Sequence, residues 1–161
     1  VEPKVFNQDR VKELNSHLML FFTGVSRFSS EVAKSQIANI ENCYSQMNEL
    51  YDMVGEGSSI MANTNISIDN FGKLLHEAWK NKRSLSNKVT NTKIGELYNA
   101  AIKAGATGGK VLGAGGGGFI LFFVKPENQD KVKKALSSLT FVPFNFENTG
   151  SKVVLYQPNG I

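Results

Sequence analysis

A run of four consecutive glycines is the feature that most restricts how this chain can fold. Eight of its fifteen glycines fall between Gly105 and Gly118, and residues 115–118 are all glycine. Glycine loses more conformational freedom on folding than any other residue, so such a run is favoured only where the backbone needs positive φ angles or must approach another group closely. The sequence therefore predicts a tight bend, and a phosphate is the group that we expect beside it.

Three known glycine loops resemble parts of this run, and the flanking residues exclude each of them. A dinucleotide-binding loop is followed by a helix, but the apolar run Phe119–Val124 predicts a buried strand. A Walker A loop needs Ser or Thr after its lysine, and Val111 follows Lys110. A protein-kinase glycine loop does lie between strands, but neither His-Arg-Asp nor Asp-Phe-Gly follows Lys125.

The remaining arrangement is a strand, a glycine bend and a second strand. Lys110-Val111-Leu112 enters the bend, and Phe119–Val124 leaves it. Successive backbone N–H groups in such a bend can point inward together and hold an anion without a charged side chain. The alternative is a plain hairpin whose glycines only permit the turn.

Three stretches of the chain carry a family resemblance. Residues 108–119, Gly-Gly-Lys-Val-Leu-Gly-Ala-Gly-Gly-Gly-Gly-Phe, resemble the third signature motif of the galactokinase, homoserine kinase, mevalonate kinase and phosphomevalonate kinase (GHMP) superfamily. Residues 20–30 and 85–91 are similar to the C-terminal half of bacterial D-glycero-D-manno-heptose 7-phosphate kinases. The resemblance runs from about residue 5 to about residue 156, and fucose kinases and related sugar kinases carry similar C-terminal halves.

The resemblance implies an ATP-dependent sugar kinase acting on a heptose 7-phosphate. Its C-terminal domain is α+β, a ferredoxin-like antiparallel sheet with additional helices packed on one face. The implied position of the glycine bend is over the junction between the ATP phosphates and the sugar. Six residues form this bend, namely Gly113, Ala114, Gly115, Gly116, Gly117 and Gly118.

The resemblance also indicates what the chain lacks. In the superfamily the main phosphate loop and the acidic residues that handle Mg²⁺ and the substrate hydroxyl belong to the N-terminal half, and no comparable motif occurs here. We therefore expect no catalytic residue and no metal ligand in this chain, with ATP and Mg²⁺ held mainly by the N-terminal half. Because phosphoryl transfer depends on positioning by the whole site, the chain alone should be inactive.

Domain organisation and location follow from composition. With 161 residues, 41% of them hydrophobic, the chain can bury one core, so we expect a single domain over 1–161. The start Val1-Glu2-Pro3 fits the C-terminal half of a longer kinase, whose N-terminal domain is then a partner. One cysteine, no signal peptide and no apolar stretch near the ~20 residues of a membrane span favour a cytoplasmic protein without membrane contact.

The positive charge of the chain favours anionic partners in general. A net charge of +4 suits ATP, phosphosugars or nucleic acid. Nucleic-acid-binding sheets usually expose alternating aromatic residues, whereas Phe122 and Phe123 lie in an unbroken apolar run, so we expect no nucleic acid. The alternative from another functional class is a noncatalytic ferredoxin-like module that binds a small ligand or mediates association.

A second candidate site lies in residues 23–30, which connect a strand to a helix. Helix N–H groups, hydroxyl groups and a guanidinium converge there, and arginine can hold a phosphate with two hydrogen bonds. We therefore expect Arg27, Ser29 and Ser30 to contact the sugar phosphate. The alternative is an ordinary helix cap formed by Ser29 or Ser30, with Arg27 in solvent.

An apolar stripe predicts one long helix after Gly24. The spacing 4, 3, 4, 3, 4, 3 runs for roughly 25 residues and ends at Gly55 and Gly57. Packing within the same domain is the first interpretation, and a dimer or partner surface is the second. The stripe consists of Ala33, Ile37, Ile40, Tyr44, Met47, Tyr51 and Val54.

The remaining elements follow from periodicity and capping signals. Helices are expected over 8–16, 67–79, 94–102 and 126–138, and strands over 1–6, 17–23, 140–146 and 152–156. Trp79 is expected in the core. The basic stretch from Lys80 to Arg83 is interpreted as a solvated helix end, and Lys110 as a solvated residue or an aid to anion binding.

Overall fold

The computed structural model describes residues 4–25, 29–147, 150, 151 and 153. Within them the chain forms an α+β domain, in which groups of helices separate the strands. The α-helices are α1 Gln8–His17, α2 Ser29–Ile37, α3 Tyr44–Ala62, α4 Asp69–Ser84, α5 Thr92–Lys103 and α6 Gln129–Ala135, and the strands are β1 Leu18–Phe22, β2 Ala106–Val111, β3 Phe119–Val124 and β4 Thr140–Val142.

The four strands form one antiparallel sheet in the order β2-β3-β1-β4. Helices connect β1 to β2 and β3 to β4, which is the ferredoxin-like arrangement. Phe21 pairs with Ile120, and Val111 pairs with the same Ile120 from the other side. The predicted fold class is therefore confirmed.

The main core lies between the sheet and the helices α5 and α6. Alternate side chains of a strand point to one face, and Phe21, Ile120 and Phe122 are buried there against Ala101 and Val132. The side chain of Trp79 is also fully buried, as predicted. Phe122 and Phe123 are both completely buried, so both faces of β3 are covered at these positions.

Helix α4 approaches the edge strand β2 unusually closely. A Cβ atom on Gly108 would overlap the carbonyl oxygen of Gly72, and a Cβ on Gly72 would lie 2.6 Å from the ring of Phe123. These glycines allow the helix backbone to rest on the strand. The last turn of α4 consequently lies beside the end of β2, where the glycine bend begins.

The prediction of one continuous helix from the apolar stripe is wrong. Helix α2 ends at Ile37, a 3₁₀ turn covers Ile40–Asn42, and α3 starts only at Tyr44. The Nδ2 group of Asn39 donates to Leu85 O at 3.0 Å and to Cys43 Sγ at 3.0 Å. The bond to Leu85 O joins Asn39 to a distant part of the chain, and this tertiary contact accounts for the break.

The end of α3 and the surroundings of the stripe also differ from prediction. The helix continues through Gly55 and Gly57 to Ala62. Tyr51 is 79% exposed and Val54 is 67% exposed, so the interpretation that the stripe packs within the domain is wrong for this part of α3. The helix contacts α4 through another face and buries residues near its C-terminal end.

The other predicted elements are confirmed in part. Helices α1, α4 and α5, the strand β1 and the glycine hairpin agree with prediction within a few residues, apart from the longer C-terminal end of α4. The predicted helix over 126–138 is a 3₁₀ turn followed by α6, and the strand over 140–146 is only β4. Residues 4–7 form no strand, residues 1–3 lie outside the described part, and of 152–156 only Val153 is described.

The helices were compared with the length and apolar character of a membrane span. None of those within the described residues combines the length and the apolar character that crossing a bilayer requires.

Candidate phosphate-binding loop

The glycine bend is a loop between two paired strands, as predicted. Leu112 N donates to Phe119 O at 2.8 Å and closes the hairpin, and the chain continues directly into β3. Positive φ angles occur at Gly113, Gly115, Gly116 and Gly118, at 66°, 114°, 76° and 81°. Ala114 has no positive φ, so φ alternates in sign along the first three loop residues, the pattern that makes successive N–H groups converge.

The carbonyl oxygens of this loop are held by donors from the body of the domain. The donors come from four separate segments of the chain, which fixes the loop on all sides. The bonds are Lys82 Nζ to Gly113 O at 2.5 Å, Gln36 Nε2 to Ala114 O at 3.1 Å, Asn91 Nδ2 to Gly116 O at 3.2 Å, and both N and Oγ1 of Thr23 to Gly118 O at 2.9 Å.

The backbone N–H groups of the loop are used much less. Gly116 N donates to Val89 O at 2.8 Å, and Gly118 N donates to Val25 O at 2.7 Å. Four others find no acceptor among the described residues, namely those of Gly113, Ala114, Gly115 and Gly117. Four of the six loop carbonyls are thus bound, whereas four of the six loop N–H groups remain available as donors among the described residues, which is the polarity that an anion requires.

Two of the glycines are required by close packing. A Cβ atom on Gly115 would lie 2.6 Å from Val89 O, and a Cβ on Gly117 would lie 2.6 Å from Val25 O. Both distances are far below ordinary contact, so these positions exclude any side chain unless the backbone moves. A plain hairpin would not need such contacts, and the loop is instead built into its surroundings.

Lys82 is a loop-holding residue that the sequence interpretation missed. It was assigned to a solvated helix end, but its ammonium group donates to Gly113 O at 2.5 Å and to Val111 O at 3.4 Å. Burial, followed by the charge of Lys110, lowers the pKa of Lys82 from 10.5 to about 8. The solvated interpretation holds for Lys80, which is exposed and pairs with Glu77 at 2.8 Å.

Asn91 connects the loop to the start of α5. Its Oδ1 accepts a hydrogen bond from Ile94 N at 3.0 Å and so caps the helix, while its Nδ2 donates to Gly116 O. Asn immediately before an amphipathic helix is a capping signal that the sequence contains. The second bond depends on the tertiary structure and has no signal in the sequence.

Two of the three predicted substrate-binding residues belong to the part of the chain that the structure describes. Arg27 lies outside the described residues, so its predicted role remains a prediction. Ser29 and Ser30 are exposed at the start of α2. The connection before this helix is bound to the loop through Thr23 and Val25.

One further pair of titratable groups is in hydrogen-bond contact, His76 with Tyr98. His76 Nδ1 lies 2.7 Å from Tyr98 Oη, and burial raises the pKa of Tyr98 to about 12. Among the described residues, no group of three or more His, Cys, Asp or Glu side chains is arranged to hold a metal ion.

The family to which the chain belongs is decided by comparison with known proteins. Residues 60–140 match the family described as GHMP kinases C terminal. The chain belongs to this family. The match covers half of the chain and includes α4, α5, the glycine hairpin and the loop.

Individual proteins are also similar to this chain in sequence or in fold. The chain is 31% identical over 127 residues to D-glycero-alpha-D-manno-heptose 7-phosphate kinase of Campylobacter jejuni, which covers 77% of this chain and 37% of that protein. A D-glycero-D-manno-heptose 1-phosphate kinase from Bacteroides thetaiotaomicron superposes with a TM-score of 0.59 at 25% identity, over 91% of this chain and 38% of the other. Methanococcus jannaschii mevalonate kinase has the same fold, with a TM-score of 0.66 at 21% identity, over 87% and 42%.

The chain is much shorter than these kinases. It spans 37% to 42% of the length of the three proteins. The activity and substrates of the relatives therefore belong to longer chains.

Proposed function

We propose that this chain is the C-terminal domain of an ATP-dependent sugar kinase, and that residues 1–161 form a single domain of it. The kinase transfers a phosphoryl group to the anomeric hydroxyl of D-glycero-D-manno-heptose 7-phosphate, for the synthesis of nucleotide-activated heptose. The 31% identity to a heptose 7-phosphate kinase supports this choice of substrate. The chain acts with an N-terminal kinase domain in the cytoplasm and is inactive alone.

The hydrogen bonding of the glycine loop is the observation that carries the proposal. Four loop carbonyls are bound by Thr23, Gln36, Lys82 and Asn91, while four loop N–H groups find no acceptor among the described residues. Main-chain donors that are fixed in advance stabilise charge that develops on a transferring phosphoryl group, because they need no reorganisation during the reaction. Loss of one such donor typically costs about 10²–10³ in kcat.

The described residues indicate which groups this domain binds and which ligands the N-terminal half supplies in the proposed kinase. The loop N–H groups fit phosphate oxygens of ATP or of the transferred group. Mg²⁺, which neutralises phosphate charge when bound, needs oxygen ligands, and the described residues offer no cluster of acidic side chains for it. The magnesium ligands and the catalytic residues therefore belong to the N-terminal half in this proposal.

The sugar phosphate is assigned to Arg27, Ser29 and Ser30. The link between residues 23–25 and the loop supports this assignment, because it brings Thr23 and Val25, which precede Arg27 in the chain, next to the proposed phosphoryl site. The Arg27→Ala variant of the whole kinase should raise the KM for the sugar phosphate with little change in the KM for ATP. An unchanged KM for the sugar phosphate would remove Arg27 from the site.

A substrate panel tests the proposed function. The kinase that contains this chain is assayed for ATP-dependent phosphorylation of heptose 7-phosphate, heptose 1-phosphate, fucose and galactose, with the 161-residue chain alone as the matched control. We expect the highest kcat/KM with heptose 7-phosphate and no turnover by the chain alone. A higher kcat/KM with another sugar would overturn the substrate, and the absence of turnover with every sugar would overturn the function.

A further inference from the structure

A cavity lies between α3 and α4, and none of the loop residues 113–118 lines it. Its volume is about 420 Å³, within the usual range of small-molecule sites. The walls are almost entirely apolar and include Leu50 and Met53 of α3 and Leu74 and Ala78 of α4. The size and lining suit an apolar body rather than a sugar or a nucleotide.

One cation lies at this cavity. Lys110 of β2 is the only ionisable residue among those that line it. The structure gives its side chain no ion pair with any described residue. The neighbouring positive charge of Lys82 is close enough to be affected by Lys110, so an anion bound at Lys110 would reduce a repulsion between two ammonium groups.

A glycine of α3, Gly57, forms part of the cavity wall. Gly57 lies in the interior of α3, where glycine costs about 1 kcal/mol relative to alanine. A Cβ atom there would meet Leu74 Cδ2 at 3.5 Å and Phe71 Cε2 at 4.0 Å, which is ordinary van der Waals contact. Neither a positive φ nor close packing therefore requires a glycine at this position.

We propose that this cavity binds an amphiphilic monoanion, with its apolar body between α3 and α4 and its anionic head at Lys110. The apolar walls select a hydrocarbon or aromatic body, and the single ammonium group selects one negative charge. None of the loop residues 113–118 lines the cavity, and the proposal does not depend on the proposed kinase activity.

Octanoate and 1-octanol test the role of the charge. Both carry the same alkyl chain, and binding to the 161-residue chain is measured by isothermal titration calorimetry. Lys110→Met should weaken octanoate binding about fivefold, since an exposed ion pair contributes up to about 1 kcal/mol, and should leave 1-octanol binding unchanged. Lys110→Arg should retain the binding of octanoate. Absence of octanoate binding to the unaltered chain, or equal loss of both ligands in Lys110→Met, would overturn the proposal.

Two glycine variants of α3 test the location. Gly57→Leu fills the cavity and should abolish binding of both octanoate and 1-octanol. Gly55→Leu is the matched control, because it makes the same change two residues away, where a Cβ meets nothing within 4 Å. If Gly57→Leu does not fold, Gly57→Ala replaces it. The Gly57→Ala variant should have a higher unfolding free energy and should bind octanoate more weakly. Unchanged octanoate binding in the folded Gly57 variant, or equal loss in Gly55→Leu, would place the ligand elsewhere.

Discussion

Substitution of Asn91 by Asp or by Ala separates the two hydrogen bonds that this side chain makes. Ala removes the helix cap to Ile94 N and the bond to Gly116 O, while Asp keeps the cap and removes only the donor. A lost cap costs about 1 kcal/mol and a lost hydrogen bond about 1 kcal/mol. Asn91→Ala should therefore lose about 2 kcal/mol of unfolding free energy, and Asn91→Asp less, because its carboxylate also favours the helix N-terminus.

The activities of the two variants should follow the opposite order. The carboxylate of Asn91→Asp would lie beside the loop that we assign to phosphate, and a charge ~8 Å from a phosphate in a medium of effective dielectric ~20 costs about 2 kcal/mol. Asn91→Asp should thus be at least about tenfold less active in kcat/KM for ATP than Asn91→Ala, although it is the more stable protein.

The order of stability is measured by urea unfolding of the chain. The order of activity is measured by steady-state kinetics of the kinase that contains the chain. Thermal unfolding provides a check, because 1 kcal/mol corresponds to about 2–4 °C for a chain of this size. An activity order that follows the stability order would refute the assignment of this loop to a phosphate. Equal stability of the two variants would refute the helix-capping role of Asn91.

Two further predictions concern the loop and the lysine that holds it. Gly113→Ala places a side chain at a φ of 66°, in the left-handed region, which costs about 1–2 kcal/mol. Gly115→Ala costs more, because its φ of 114° lies outside that region and because Val89 O would lie 2.6 Å from the new Cβ. Urea unfolding should therefore find the Gly115 variant less stable, and equal losses would contradict the packing. Lys82 should titrate with a midpoint of about 8 by NMR. Because its pKa is lower in the folded than in the unfolded protein, the stability of the protein relative to Lys82→Met should rise between about pH 8 and pH 10.5, and a flat difference would contradict the burial of this ammonium group.

The sequence was sufficient to predict the hairpin because the signal is local. The glycines at 113–118 and the apolar strand after them determine a bend between two strands without reference to the rest of the chain. The ferredoxin-like sheet followed from the family resemblance together with the order of the elements. Both predictions rest on patterns that adjacent residues carry.

The break in the apolar stripe was missed because tertiary contacts decide it. The side chain of Asn39 bonds to Leu85 O, which belongs to a distant part of the chain, and no periodicity argument includes that contact. The low helix propensity of Gly55 and Gly57 predicts a helix end, whereas α3 continues through both residues and packs against α4.

The loop-holding residues were missed for a related reason. Lys82 has the position of an ordinary solvated lysine near a helix end, and only the close approach of Gly72 and Gly108 brings its helix beside the loop. The bonds of Gln36 and Asn91 to loop carbonyls likewise join residues that are far apart in sequence. Only the helix cap of Asn91 was accessible from the sequence.

The most direct test of the account is a crystal structure of the kinase that contains this chain, with a nonhydrolysable ATP analogue and the sugar phosphate bound. The account predicts a phosphate oxygen within about 2.7–3.2 Å of the backbone nitrogen of at least one of Gly113, Ala114, Gly115 and Gly117, with the loop carbonyls still bound to Lys82 and Asn91. Phosphates bound elsewhere, with these four N–H groups facing solvent or the protein itself, would contradict it.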